Sequence, residues 1–276
     1  MAQGLFRRVK DVSMSHLRAT MRLISLCVVT CVMYVLLVGG LALIFPSRQV
    51  RIRWRSLILR KWAKATAALL KIRITTYGAP PLAPFFLVSN HLSYVDIVVF
   101  ASQLCCSFIA KKDVARWPVI GLLCKSIGTI FIDREHRRDI VRVNGQVEMA
   151  QAEGSGVVLF AEGTSSRGET VLPFKPGLLE PAARADSAVS YAALSYRVPG
   201  DETPPDLSVC WWGDMTFIKH LLGLLHLREI YATLIFGPDA IRDGDRKELA
   251  RRLHAAVKQE FIPVARSEQE WTTVIL

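Results

Sequence analysis

The stretch LVSNHLSYVDIVVF, residues 87–100, is apolar at both ends and polar between, offering Asn90, His91, Ser93 and Asp96 among valines, leucines and isoleucines. Positions five apart on one regular helix sit about 140° from each other, so His91 and Asp96 cannot face one another from within a single helix. They can meet across a bend. If PFFLV (84–88) is a buried strand and SYVDIVVFASQL (93–104) opens a helix, His91 falls on the turn and Asp96 reaches back to one ring nitrogen. The other nitrogen then faces outward, the arrangement of a general base held in one tautomer by a carboxylate.

Working outward, short apolar runs alternate with longer amphipathic ones. Strand patterns fall at CSFIAK (106–111), GTIFID (128–133), GVVLFAEG (156–163), VSYAALSY (189–196), LSVCWWG (207–213) and YATLIFG (231–237). Helical patterns fall at 114–127, 138–154, 215–227 and 245–261. This alternation predicts an α/β fold, a largely parallel central sheet flanked by helices and buried on both faces. TTYGAPPLAPFF (75–86), rich in proline, marks a boundary. It divides an N-terminal membrane-associated segment, 1–75, from an α/β domain, 76–276.

The net charge of +11 suggests a nucleic-acid binder until it is located: residues 1–73 hold 14 of the 35 Lys+Arg and one of the 24 acids. The domain is therefore close to neutral, and no nucleic-acid partner is expected. Residues 23–45, uncharged and closed by Pro46, are long enough for a bilayer core, which needs about 20. They read as a retained membrane element rather than a signal peptide, because no small-residue cleavage site follows. In 48–73, Trp54, Ile58, Trp62, Ala65, Leu69 and Ile72 recur in steps of four and three with arginines and lysines on other faces, the pattern of a basic helix in the headgroup layer. Basic residues flank the apolar run on both sides, so a span and a shallow element with both ends on the cytoplasmic face fit equally. The six cysteines show no metal or disulfide spacing and read as reduced thiols.

Function in such sheets collects where strands end and helices begin. Four successive strand exits read NHLSYVD, AKKD, IDRE and AEGTSSRGE, the last followed by VLPFKPG. They offer Lys111, Lys112, Arg134, Arg167 and Lys175 as ligands for a charged substrate. Each could instead be a solvated strand end, and Glu162 a turn cap. Ser89, Ser93, Ser165 and Ser166 are candidate nucleophiles, yet none sits in a G-x-S-x-G elbow. A base without a nucleophile suits direct attack by a substrate hydroxyl on an activated acyl carbonyl. Trp211 and Trp212 read as aromatic packing, and His220 and His226, six apart, as surface or interfacial residues with poor spacing for a metal.

Asn90-His91-Leu92-Ser93-Tyr94-Val95-Asp96 resembles the N-H-x-x-x-x-D block of the glycerolipid acyltransferases, which include 1-acylglycerol-3-phosphate acyltransferase. GTIFIDR resembles their second block, Glu162-Gly163-Thr164 their E-G-T block and VLPFKPG their fourth, in the same order over roughly residues 84–199. The resemblance implies a membrane-associated O-acyltransferase of phospholipid biosynthesis at the cell inner membrane, its site on the cytoplasmic side. His91 and Asp96 would be catalytic. Arg134, Glu162, Gly163, Thr164 and Arg167, with Lys111 and Lys175, would bind the acceptor. The donor would be acyl-CoA or acyl-carrier protein, with no metal or other cofactor. One departure stands out: Ser165 and Ser166 separate E-G-T from its arginine, Arg167. Lysophosphatidic acid is the first expected acceptor, giving phosphatidic acid; another lysolipid, such as lyso-ornithine lipid, is the rival. A membrane-anchored serine hydrolase and a non-catalytic lipid-binding protein remain alternatives.

Overall fold

In the computed structural model, residues 2–43, 47–133, 137–200 and 202–264 are described. Seven strands form one sheet in the order β1-β7-β6-β2-β5-β3-β4: β1 Ile72–Tyr77, β2 Phe86–Ser89, β3 Cys106–Lys111, β4 Ile130–Ile132, β5 Gly156–Phe160, β6 Ser190–Arg197 and β7 Ile230–Phe236. All neighbours pair in parallel except β6 with β7, so β1 and β7 run against the other five. Every residue of β2 and β5 is buried, as continuous apolar runs at the centre of a sheet covered on both faces require.

Two groups of helices cover it. One joins α5 Arg137–Ala152, α6 Glu180–Arg184 and α9 Arg246–Glu260, packed on β5 and β6. α9 starts where the Asp245 carboxylate accepts the amides of Lys247 and Glu248, at 2.8 and 2.9 Å. The other is a stack of α3 Val95–Gln103, α2 Arg48–Leu69 and α1 Ala2–Leu43, in which α2 packs on α3 and α1 on α2. Trp62 Nε1 donates to Thr30 Oγ1 at 3.1 Å and Trp54 Nε1 to the Leu37 carbonyl at 3.2 Å, so α1 is bound along much of α2. Lower on α1, the Arg22 guanidinium is buried against the carbonyls of Leu225, Leu227 and Arg228, where α8 Phe217–His226 ends. A cation there satisfies unpaired carbonyls and opposes the negative end of the helix dipole.

Two sequence expectations change. β1 lies where the amphipathic pattern suggested continued helix: Lys71 takes a left-handed conformation (φ 53°) after α2, and the chain turns into an edge strand that runs across the 75/76 division. LSVCWWG forms no strand. Pro204 and Pro205 open the short helix α7 Pro205–Ser208, and 209–213 cross the strand exits as a loop, where the Trp211 amide donates to the Leu92 carbonyl at 2.8 Å. Alternating apolar residues there fill the rim of the site rather than a pleat. α4 Ile120–Ser126 is separated by Pro118 from a 3₁₀ turn, Lys112–Arg116.

Segment 261–264, which follows α9, is pinned. The Val264 amide donates to the Gly168 carbonyl at 2.8 Å, and Ser195 Oγ donates to the Ile262 carbonyl at 2.6 Å. At the seam between β2 and β6, Asn90 acts as an extra peptide group: its Nδ2 donates to the Leu194 carbonyl at 2.9 Å and its Oδ1 accepts the Leu194 amide at 2.8 Å. Replacing Asn90 with alanine strands both buried groups of Leu194. A loss of about 2–4 kcal/mol in unfolding free energy is expected by denaturant titration.

Candidate active site

β2 ends at Ser89 and α3 begins at Val95, so His91 sits on the connecting turn as its spacing from Asp96 required. His91 Nδ1 lies 2.7 Å from Asp96 Oδ2. The same oxygen accepts the amides of Leu92 at 2.7 Å and Ser93 at 3.0 Å, and Asp96 Oδ1 accepts the Tyr196 hydroxyl at 2.8 Å. Asp96 is 0% exposed, and these four contacts make it an acceptor on both oxygens. The proton shared with His91 therefore sits on Nδ1, leaving Nε2 with its lone pair. The ring stacks on Phe160 at 4.3 Å between centroids and 10° between planes, which fixes its second rotational degree of freedom. The histidine side chain is 21% exposed, enough to present Nε2 to an entering group.

Glu162 stands beside it at the exit of β5. Its Oε1 accepts the His91 amide at 2.9 Å, whereas Oε2 is buried without a hydrogen-bond partner of normal geometry. Burial pushes this carboxyl up to about 8; the amides of His91 and Leu172 oppose the rise and the charge of Asp96 adds to it. Gly163 turns the chain with φ 78°, a conformation that disfavours any side chain, and this is the physical need for glycine after Glu162. The loop then returns: the Ser166 amide donates to the His91 carbonyl at 2.9 Å. Ser93 Oγ and Ser166 Oγ are buried without partners, so neither hydrogen-bonds to His91.

The expected cations divide. Arg167 is at the site's edge but engaged: Nε and Nη2 donate to Asp206 Oδ2 at 3.0 and 2.9 Å, Nη1 lies 3.4 Å from Glu169, and the guanidinium covers the Trp212 ring at 5.4 Å. Lys111 is exposed and paired with Asp113 at 2.7 Å, and Lys112 pairs with Asp133 at 3.2 Å. Thr164 and Lys175 are exposed, although the Lys175 amide anchors to the Ala161 carbonyl at 2.9 Å. Arg134 lies outside the described residues. Among the described residues, none of Lys111, Thr164 and Lys175 hydrogen-bonds to the His91, Asp96 or Glu162 side chains.

Comparison with known proteins identifies the family. The family described as Acyltransferase matches residues 71–197. A lyso-ornithine lipid O-acyltransferase of Brucella abortus is 35% identical over 218 residues, covering 74% of this chain and 82% of its own. The chain belongs to the acyltransferase family. A 1-acyl-sn-glycerol-3-phosphate acyltransferase of Neisseria gonorrhoeae is 30% identical over 199 residues, covering 71% and 77%. The fold is shared with the crystal structure of the 1-acyl-sn-glycerophosphate (LPA) acyltransferase PlsC from Thermotoga maritima, with a TM-score of 0.64 at 18% identity over 89% of this chain and 95% of that one.

This acyltransferase is a membrane protein: Ser13–Leu43 has a mean hydropathy of 2.5 in its most apolar window, which is only 6% buried. Met14, Leu17, Met21, Ile24, Val28, Val32 and Val35 form one exposed apolar stripe along it. Three contributors to the acyltransferase site escaped sequence reading: Phe160, Tyr196 and Asp206. A hydroxyl buried within an apolar strand marks Tyr196; nothing local marks the other two. His220 is buried rather than superficial, with Nδ1 2.9 Å from the Tyr94 hydroxyl and Nε2 3.1 Å from the Cys210 carbonyl, and burial lowers its basicity. Tyr94 meets the His220 ring edge-on, and Trp211, Phe217 and Trp117 extend the aromatic cluster from Tyr94, whereas Trp212 lies apart under the Arg167 guanidinium.

The raised pKa of Glu162 has a signed effect on stability. The folded protein holds this proton from the ordinary carboxyl value near 4.5 up to about 8, whereas the unfolded chain releases it. The contribution is full below 4.5 and is lost as pH rises to 8, a few kcal/mol in all. Wild type and Glu162→Gln should melt alike at pH 5, and the variant should be several degrees more stable at pH 8.5, by thermal denaturation.

Proposed function

We propose that this acyltransferase esterifies the free hydroxyl of a lysolipid by direct transfer from a thioester, acyl-CoA or acyl-carrier protein. The observation that carries the reading is His91, proton on Nδ1 held by buried Asp96, with Nε2 unengaged and no serine Oγ bonded to the ring among the described residues. In the proposed reaction Nε2 takes the proton of the acceptor hydroxyl as its oxygen attacks the thioester carbonyl. Collapse of the tetrahedral intermediate expels the thiolate, which recovers the proton from His91. Asp96 stabilises the imidazolium formed on the way and needs no proton itself. Glu162, protonated at neutral pH, offers its Oε2 hydroxyl to a substrate oxygen. The scheme calls on no metal or other cofactor. A serine hydrolase would need a Ser–His contact that the described residues lack.

For the acceptor, we favour lyso-ornithine lipid. Arg167, the cation expected to hold a phosphate, is neutralised by Asp206 and Glu169. An edge with carboxylates on that arginine suits a head group bearing an ammonium better than a phosphate dianion. The 35% identity to a protein of that named activity supports the same choice. Lysophosphatidic acid is the second reading, favoured by the Neisseria relative.

The membrane element we place flat in the cytoplasmic leaflet of the inner membrane. α1 is fastened along α2, which carries Arg51, Arg53, Arg55, Arg60, Lys61 and Lys64. A perpendicular α1 would draw several of these into hydrocarbon, at roughly 2.5–3.5 kcal/mol each near the centre. In one leaflet the stripe meets lipid while the charges meet phosphates.

Two measurements check these readings. With labelled acyl donors, kcat/KM should be at least about tenfold higher for lyso-ornithine lipid than for lysophosphatidic acid, and His91→Ala should reduce turnover of either by roughly 10²–10⁴. A preference for lysophosphatidic acid would reverse the acceptor assignment. In a cysteine-free background, Ser13→Cys and Ser47→Cys, at opposite ends of the apolar stretch, should both react with an impermeant maleimide from the cytoplasmic side only. Labelling of either from the opposite side would mean that α1 crosses.

A further inference from the structure

A cavity of about 480 Å³ lies far from His91. Its floor is made by Ser107 near the start of β3, Thr129 just before β4 and Ser155 just before β5. His91 and Glu162 follow the opposite, C-terminal ends of strands running in the same direction, so the length of the sheet separates the two sites. The wall is cationic. Arg48, Arg51 and Arg55, spaced three and four apart on the first two turns of α2, point one helical face into the cavity, and Arg142 of α5 closes the far side.

Two of the four arginines are satisfied within the protein. Arg48 Nε pairs with Glu153 at 2.5 Å; Arg142 donates to Asp139 at 2.7 Å, Gln146 at 2.8 Å and the Phe131 carbonyl at 2.6 Å. Arg51 and Arg55 have no carboxylate partner among the described residues, and the Arg55 Nε is buried with no acceptor. Desolvation and the neighbouring charge of Arg51 both act against the Arg55 cation. Glu153 also lines the cavity but is taken up by Arg48, so Arg51 and Arg55 face each other without a counter-ion of their own, a repulsion that a bound anion would relieve. The first turn of α2 carries no acidic residue, and its unpaired amides favour the same charge.

The position of the cavity indicates where the anion comes from. Trp54, between Arg53 and Arg55, bonds to the Leu37 carbonyl of α1, so the helix that carries the cavity's arginines also holds the part of α1 where Val35, Leu36 and Val38 are exposed. Ile52, Ile127 and Met149 add apolar wall. We propose that this cavity binds the phosphate head group of an anionic membrane phospholipid, with Arg51 and Arg55 as its ligands and the acyl chains lying along α1. The bound lipid is neither acceptor nor product. It fixes the α1–α2 pair on an anionic surface, and the inference stands independently of which lysolipid is acylated.

The test is co-sedimentation of the full-length protein with vesicles of phosphatidylcholine alone or with 30 mol% phosphatidylglycerol (about 30, a usual anionic fraction). Wild type should bind the anionic vesicles about tenfold more tightly, and Arg51→Gln/Arg55→Gln should lose most of that difference. A control with the same charge loss outside the cavity, Arg53→Gln/Lys61→Gln, should keep at least half of it. Equal losses in the two double variants, or none in the first, would overturn the site. Inorganic phosphate at constant ionic strength should fail to displace wild type from anionic vesicles; displacement at millimolar phosphate would overturn the assignment to lipid. Because the first variant removes repulsion, its melting temperature should equal or exceed that of wild type; a large drop would show that the arginines support the fold instead.

Discussion

The carboxylate of Asp96 is the constraint on which the site depends. A fully buried anion is tolerated only when both oxygens are occupied, and here the Leu92 and Ser93 amides, the Tyr196 hydroxyl and the His91 ring occupy them. The turn from β2 to α3, the distance between β2 and β6 and the tautomer of His91 are thus set by one group. Breaking any of the four contacts leaves charge without compensation, so the turn has a single low-energy geometry. Stacking on Phe160 completes it from the neighbouring strand β5.

Around that anion the acyltransferase alternates rigid and yielding parts. Asn90 stitches β2 to β6 through two hydrogen bonds between its side-chain amide and the Leu194 backbone, and Gly163 permits the reversal that brings the Ser166 amide back to the His91 carbonyl. By contrast Glu162 keeps one buried oxygen without a hydrogen bond of normal geometry, and Ser93 and Ser166 keep hydroxyls likewise uncommitted. Unsatisfied groups cost stability in a finished core, but in a site they are capacity for a substrate. The membrane pair follows the same logic, with the buried Arg22 engaged at the end of α8 while Arg51 and Arg55 have no carboxylate partner among the described residues.

Much of this was legible from local pattern. The five-residue separation of His91 and Asp96 required a bend, and continuous apolar runs announced parallel central strands. What was not legible depends on contacts distant in sequence. LSVCWWG alternates like a strand, yet Pro204 and Pro205 start a helical turn and the tryptophans are needed at the rim. β1 follows a helix whose periodicity offered no stop except the left-handed Lys71. Arg167 read as a free cation because its neutralising partner, Asp206, is 39 residues away. The sequence names the chemistry at each strand exit but not which charges cancel across the loops.

The pinning of 261–264 has a consequence for how the protein is made. Val264 holds Gly168, directly after Arg167, and Ile262 meets Ser195 on β6 next to the Asn90 seam. These few residues emerge from the ribosome after every strand and after the helices they cross. Until they dock, the loop behind Glu162 lacks its outer clasp, so this part of the site is a late product of synthesis, completed after the N-terminal helices have emerged.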